Sequence, residues 1–282
     1  MYIQKEIEME TIAKYINGNV SVTILEDGTK IREWDETKPI EIIFPESIDV
    51  KITNHCEYGC PFCHENSTVD GKHADLESLL EKLNELPRGI ELAIGGGNPL
   101  SHPQLYEFLI TLKDMGFIPN ITVNQKDLDD YNTYLLIRNL IENQLVFGIG
   151  ISVNAISTLN TDRVKKLQAI TQNIVFHLII GISDFSFANK LVDDFDYCKI
   201  LLLGYKNFGR GINYYNEKID RNIKKWKKFL SVCLGVIHLS FDNLAIEQLE
   251  LKKLLPVEKW DEFYLGEDFT FTMYIDAVNQ EF

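Results

Sequence analysis

Cysteine is scarce in this chain, five among 282 residues, so no disulfide framework can carry the fold. No uninterrupted apolar run approaches the roughly 18 residues of a membrane span. The N-terminal MYIQKEIEMETIAKY mixes charge with apolar residues and has no signal-peptide core, so the expected location is cytoplasmic. Positive charge is in deficit: 28 Lys and Arg stand against 42 Asp and Glu, a net charge of −14. Such a surface repels phosphates, which argues against a nucleic-acid partner. The basic patch of Lys224, Lys225, Lys227 and Lys228 reads as the solvated face of a helix. There is no internal repeat, no low-complexity tract, and no Ser/His/Asp or paired-carboxylate pattern that demands hydrolytic chemistry. What remains is ordinary globular composition, 45% hydrophobic and 25% charged, in a chain long enough to bury a large core.

Three of the five cysteines, Cys56, Cys60 and Cys63, fall within eight residues of the stretch VKITNHCEYGCPFCHE. A C-x-x-x-C-x-x-C loop lets three thiolates converge, and thiolates select soft metals and iron-sulfur clusters. Two readings stand at this point. One is structural zinc with His55 or His64 as fourth ligand, although such sites draw ligand pairs from separated segments and no second C-x-x-C or H-x-x-x-H exists here. The other is a 4Fe-4S cluster with three irons held by protein and one open to an outside ligand. Cys198 and Cys233 stand alone in apolar surroundings and read as small buried hydrophobes.

Residues 1–48 stand apart. VSVTILEDGTKIREW alternates apolar and polar residues on both sides of Asp27-Gly28, which predicts a hairpin packed on the main domain. From residue 49 the rhythm becomes six short apolar runs, at 48–53, 91–95, 120–124, 145–153, 174–181 and 199–204, with helical patterns between them. Leu76, Leu79, Leu80, Leu83 and Leu86 follow an N-cap at Asp75 and stop at Pro87; Leu105 to Met115 end at Gly116. Tyr131 to Asn143, Thr161 to Ile170 and Phe185 to Phe195 supply weaker helical connections. Six βα units argue an α/β parallel sheet with helices outside. Beyond Gly211 come a helix over 217–234, the run GVIHLS, a Leu-rich helix over 244–255 and the alternating FTFTMYID. The expected domains are an N-terminal β extension (1–48), a barrel (49–211) and a C-terminal extension packed on it (212–282).

In a βα barrel chemistry gathers at the C-terminal strand ends, and the unusual residues fall there. The first run ends in the cysteine loop, the second in Gly95-Gly96-Gly97-Asn98-Pro99, the third in Asn124-Gln125. The fourth ends in Ser152 and Asn154, the fifth in Gly181, and the sixth opens into GYKNFGRG. Three glycines after a strand let the backbone approach a ligand and present its N–H and C=O groups. Tyr205, Lys206 and Arg210 read as a solvated surface loop with the option of facing a substrate.

The cysteine spacing with Phe62 before the last cysteine resembles the signature of the radical S-adenosylmethionine (radical SAM) superfamily. Gly96, Gly97, Asn98 and Pro99 resemble that family's Gly-Gly-Glu-Pro motif, with Asn98 where Glu is usual. The resemblance covers about residues 48–211 and implies a partial (β/α)6 TIM-like barrel, here with an N-terminal β-hairpin extension and an α+β C-terminal extension. It implies a 4Fe-4S cluster on Cys56, Cys60 and Cys63, with SAM chelating the open iron. Gly96, Gly97 and Asn98 would receive the methionine amino group, Asn124 and Ser152 the ribose and carboxylate, and Phe62 the adenine, with Gly181 bordering the pocket. The implied reaction is reductive cleavage of SAM to methionine and a 5′-deoxyadenosyl radical that abstracts a substrate hydrogen. A reduced flavodoxin- or ferredoxin-like electron donor is implied as partner. An amide at 98 accepts a hydrogen bond without charge assistance, so weaker SAM affinity is expected. The substrate expected from the hairpin extension, whose edge suits strand addition, is a peptide or protein ahead of a small metabolite or nucleotide. The alternative is a non-catalytic zinc- or iron-sulfur-binding module.

Overall fold

The computed structural model describes residues 9–264, 266 and 270–281. The first eight residues, the side chain of Cys233 and Phe269 of FTFTMYID lie outside the described residues.

The chain begins with strands β1 (Thr11–Asn17), β2 (Val20–Leu25) and β3 (Lys30–Glu33), paired antiparallel in that order. The turn at Asp27-Gly28 joins β2 to β3 as the alternation predicts, Gly28 taking φ +84°. There follow β4 (Ser47–Thr53), α1 (Leu76–Leu83), β5 (Glu91–Gly96), α2 (Leu105–Asp114), β6 (Ile118–Asn124), α3 (Tyr131–Glu142) and β7 (Gly148–Ser152). Then come α4 (Thr161–Gln168), β8 (Ile174–Ile179), α5 (Phe185–Asp194), β9 (Lys199–Leu203), the short α6 (Gly211–Tyr214) and α7 (Glu217–Cys233). The described chain closes with β10 (His238–Phe241), α8 (Asn243–Leu249), α9 (Val257–Phe263) and β11 (Thr272–Asp276).

Strands β4 to β11 form one parallel sheet in the order β10-β9-β8-β7-β6-β5-β4-β11. The six predicted strands stand side by side, and the C-terminal region adds a strand at each edge. Because side chains alternate across a strand, Ile48, Val50 and Ile52, Leu92 and Ile94, Ile149 and Ile151, and Phe176 and Leu178 turn to the helices and are buried. Each such side chain contributes about 1.5–3 kcal/mol of burial. Helix α1 supplies the facing layer with Leu76, Leu79 and Leu83, and starts where Asp75 accepts from the Glu77 and Ser78 N–H groups. The opposite face of the sheet carries Lys51, Thr53, Thr122, Asn124, Gly150, Ser152 and His177, a polar lining for the inside of the half-barrel.

Two C-terminal expectations change. The Leu-rich segment is not one helix: α8 ends at Leu249 because Glu250 takes a left-handed conformation, φ +55°, pinned by Lys227 at 2.7 Å and by Lys253. Pro256, which cannot continue a helix, then starts α9, an element the periodicity missed.

The N-terminal sheet covers the N-terminal ends of the large sheet's strands. Val20, Val22 and Ile24 pack with Ile118 at the start of β6. Asn173, just before β8, donates to the Glu26 carbonyl at 2.8 Å, and Lys199, opening β9, donates to that of Asp27 at 2.5 Å. Arg32 bridges to the buried Glu46 at 2.7 Å ahead of β4. The hairpin therefore lies at the opposite end of the strands from the cysteine loop. Its edge does not adjoin that loop, which removes the geometric argument for a peptide strand bound beside it.

Candidate active site

The cysteine loop leaves the C-terminal end of β4 and folds back on itself: the Cys56 N–H donates to Thr68 O at 2.9 Å, and the Thr68 N–H to Asn54 O at 3.1 Å. Beside it the glycine turn leaves β5. Its Gly97 N–H donates to Thr53 O and its Asn98 N–H to His55 O, both at 2.7 Å. A Cβ on Gly97 would sit 2.2 Å from His55 O, and one on Gly96, where φ is +117°, 2.4 Å from Thr53 O. These two glycines thus serve contact with the end of β4 and the cysteine loop, and the N–H groups of Gly97 and Asn98 are spent there. Gly95 alone has open space where its Cβ would be.

The loop after β9 closes over the cysteine loop from the other side. Arg210 Nε donates to Cys60 O and its Nη1 to Ser67 O, each at 2.9 Å, while its backbone N–H donates to Cys63 O at 3.0 Å. Gly209, at φ +50°, approaches so closely that a Cβ would lie 2.4 Å from His64 O. Lys206 Nζ donates to His64 Nε2 at 3.3 Å, and the buried Tyr205 donates its hydroxyl to Gly211 O at 2.6 Å. GYKNFGRG is therefore a clasp, in place of the solvated loop expected. Nothing in its composition signals that role, since the partner groups are backbone carbonyls some 140 residues upstream.

The nine cluster- and SAM-binding residues expected from sequence, Cys56, Cys60, Phe62, Cys63, Gly96, Gly97, Asn98, Asn124 and Ser152, line one cleft at the C-terminal strand ends. Asn154, Ile179, Arg210, Ser67, Tyr58 and Asp127 are among its other lining residues. Gly181 does not border the cleft as expected; it packs against Ile219, and its carbonyl accepts from Asn222 at 2.8 Å. Phe62 meets Tyr214 edge to face, centroids 5.6 Å apart. Asn124 caps the short 3-10 turn Gln125–Leu128: its Oδ1 accepts from the Lys126 N–H, and its Nδ2 points at Cys60 Sγ, 4.0 Å away. Gln125 fixes the neighbouring loop by accepting from the Asn154 and Ala155 N–H groups.

Asn98 Nδ2 donates to Glu57 Oε1 at 2.8 Å and to Asp127 Oδ1 at 3.2 Å, while Asn98 Oδ1 accepts from the Leu100 N–H at 3.1 Å. Asp127 also accepts from the Tyr58 hydroxyl and, at 2.7 Å, from the Asn124 N–H. Burial pushes the Asp127 carboxyl above its usual range, with Glu57's charge adding, although the three donors pull the other way. Sequence reasoning missed Asp127 and Glu57. The signals that would have found them are the Asn124-x-x-Asp127 capping box and the position of Glu57 next to Cys56.

Cys56, Cys60 and Cys63 are free and half-buried, and burial pushes the Cys56 and Cys60 thiols up. Among the described residues no three His, Cys, Asp or Glu side chains group as ligands of a single metal ion. A lone zinc needs its ligands in one shell, whereas a cluster takes each thiolate on a separate iron. The donor set and spacing fit the cluster. Ser67 Oγ, buried in the cleft wall, has no hydrogen-bond partner, a polar atom left for an occupant. Behind the loop, Lys51 bridges Glu65 at 2.6 Å and Asp276 of β11 at 2.9 Å, all three largely buried.

No helix is long and apolar enough to cross a membrane among the described residues. The chain resembles SuiB of Streptococcus suis in its SAM-bound structure, with a TM-score of 0.59 at 13% identity over 84% of this chain and 59% of that one. SuiB with its precursor peptide SuiA gives 0.57 at 13% identity over 84% and 58%, so the fold is shared. In sequence it is 30% identical over 76 residues to the 7,8-dihydro-6-hydroxymethylpterin dimethyltransferase of Methanocaldococcus jannaschii, 25% of this chain and 15% of that protein. The chain thus spans 15% of the curated relative's length and less than two thirds of each of these two SuiB chains. The Radical SAM superfamily profile, however, matches residues 50–250, from within β4 to the end of α8. A match over more than half of the chain, taking in the cysteine loop and the cleft, makes this protein a member of the radical SAM superfamily, whose cofactors are a 4Fe-4S cluster and S-adenosylmethionine.

Proposed function

We propose that this chain is a radical SAM enzyme whose cluster sits on Cys56, Cys60 and Cys63 and whose substrate is a peptide or protein. The carrying observation is the convergence of three free thiols, the glycine turn, Asn124 and Ser152 on one cleft at the C-terminal ends of parallel strands. When bound, the reduced cluster and SAM supply a 5′-deoxyadenosyl radical that takes a hydrogen atom from the substrate. The protein's part is to bind, orient and exclude. Gly96, Gly97 and Asn98 border the methionine end of SAM, Asn124 and Ser152 its ribose and carboxylate, and Phe62 its adenine. Arg210 holds the cysteine loop shut from the side of β9. Residues 49–211 act as the catalytic half-barrel, 1–48 as a β extension and 212–282 as an extension packed on it. A reduced flavodoxin- or ferredoxin-like protein delivers the electron.

The peptide assignment draws on the likeness to SuiB, a structure of which holds a precursor peptide. The short match to a pterin dimethyltransferase supports a small heterocyclic substrate as second reading. The anaerobically reconstituted protein is expected to hold about four irons and, with dithionite and SAM, to yield 5′-deoxyadenosine. Cys60→Ala abolishes both. A colourless protein with about one zinc, or a fully loaded cluster that leaves SAM intact, overturns the enzymatic reading. Enhanced deoxyadenosine release with a candidate peptide, and none with pterins, separates the two substrate classes.

A further inference from the structure

Asn124 carries a donor whose aim the protein fixes. Its Oδ1 accepts from the Lys126 N–H at 3.1 Å, which leaves Nδ2 turned the other way, toward Cys60 Sγ at 4.0 Å. The backbone beneath is pinned as well, since the Asn124 N–H donates to Asp127 Oδ2 at 2.7 Å. Asp127 Oδ1 accepts from the Tyr58 hydroxyl and from Asn98 Nδ2, so one carboxylate ties the end of β6 to the cysteine loop and to the glycine turn. Among the described residues Asn124 Nδ2 meets no other acceptor, and Cys60 is the one cysteine of the loop whose sulfur faces a side-chain donor. Charge is sorted in the same sense: Lys126 and Arg210 act on Cys60, whereas Glu57 acts on Cys56 with the opposite sign.

Capping alone does not account for this arrangement. Asp, Ser or Thr at position 124 would accept from the Lys126 N–H as Asn does, and only the amide adds a donor directed at sulfur. Hydrogen bonds to the sulfurs of an iron-sulfur cluster help to set its reduction potential. Reduction adds one electron, and the thiolates share the added negative charge, so an N–H on a thiolate stabilises the reduced form more than the oxidised one. We propose that Asn124 donates an amide N–H to the Cys60 thiolate and thereby raises the reduction potential of the cluster. Asn124 acts here through Cys60, so it is a positioning residue rather than a catalytic one, and the second N–H of its amide remains for SAM. The inference rests on the cluster proposed above for Cys56, Cys60 and Cys63, and it assigns a residue that eases the cluster's reduction.

The test is a redox titration of the reconstituted full chain without SAM, with dithionite as reductant, the reduced cluster read by electron paramagnetic resonance and iron content measured alongside. Asn124→Ser keeps a capping oxygen but is too short to reach Cys60. Asn124→Asp keeps both cap and shape and sets a carboxylate against the thiolate. At a fixed solution potential the ratio of reduced to oxidised cluster is expected to fall about ten-fold in Asn124→Ser, the worth of one charge-assisted hydrogen bond and about 59 mV for one electron. In Asn124→Asp it is expected to fall further. The signal comes from loaded protein alone, so incomplete loading of a variant does not blur the result, and either variant decides by itself. A merely structural cap predicts potentials equal to that of the parent, and that outcome overturns this inference while leaving the proposed function standing. Parent protein that assembles no 4Fe-4S cluster overturns the proposed function itself, and this inference with it.

Discussion

Arg210 reaches across 150 positions of sequence to donate its Nε–H to the carbonyl of Cys60 at 2.9 Å, while the same guanidinium holds Ser67 O. The planar fork satisfies two carbonyls of the cysteine loop at once, which a single ammonium on a flexible stem does not. Arg210→Gln is expected to lower stability by about 2 kcal/mol, the order of one lost hydrogen bond to a charged group, and to lower iron content after reconstitution. Arg210→Lys is expected to restore little of either. Urea unfolding and iron assay check both, and full iron loading of Arg210→Gln would show the clasp to be dispensable.

The glycine turn gives a paired prediction. Gly97→Ala drives a methyl into His55 O and is expected to cost about 3 kcal/mol, the upper range for overpacking, with loss of cluster assembly. Gly95→Ala meets open space and is expected to leave stability within about 0.5 kcal/mol while narrowing the cleft and weakening SAM binding. Thermal unfolding beside SAM titration of the two variants separates the roles. Equal stability of the two would refute the packing argument.

Lys51 is the common partner of Glu65 and Asp276. Lys51→Met leaves both carboxylates buried without their cation, and the expected loss is about 3–5 kcal/mol, read by chemical denaturation. A loss below that of an exposed pair would show that water reaches the triad.

His177 lies inside the half-barrel on β8, against Gly150, and burial pulls its imidazole down to about 4. With the folded value below the ordinary 6.5, the unfolded chain binds the extra proton, so stability falls as pH drops below about 6.5 and the loss is complete below about 4. The expected penalty at pH 5 relative to pH 8 is about 2 kcal/mol. Denaturation of the parent protein and of His177→Gln at the two pH values checks it, the variant showing a smaller difference.

Local chemistry in the sequence was enough to find the cysteine loop, the glycine turn, the hairpin at Asp27-Gly28 and the six strands of the half-barrel, because each depends on neighbours within a few positions. The edge strands were readable as an apolar run and an alternating stretch, but not their places, since the pairing of β11 with β4 joins residues more than 200 positions apart. Glu250 broke a leucine pattern through a conformation fixed by Lys227 and Lys253. The clasping role of Arg210, and Glu57 and Asp127 altogether, escaped for a related reason: their partners are a carbonyl or an amide elsewhere in the chain, and a donor's target leaves no mark on local periodicity. Gly181 misled because a glycine that clears space for Ile219 looks, in sequence, the same as one that clears space for a ligand.

Strand β11 pairs with β4 from Ser47 to Lys51, and Asp276 at its end completes the charge triad behind the cysteine loop. On a ribosome, then, the cysteine loop is finished long before the groups that brace it. A chain stopped short of residue 272 presents a bare β4 edge and a Lys51 with half its counter-charge. The brace behind the cysteine loop is therefore added only when synthesis reaches residue 276, more than 200 positions after the loop itself.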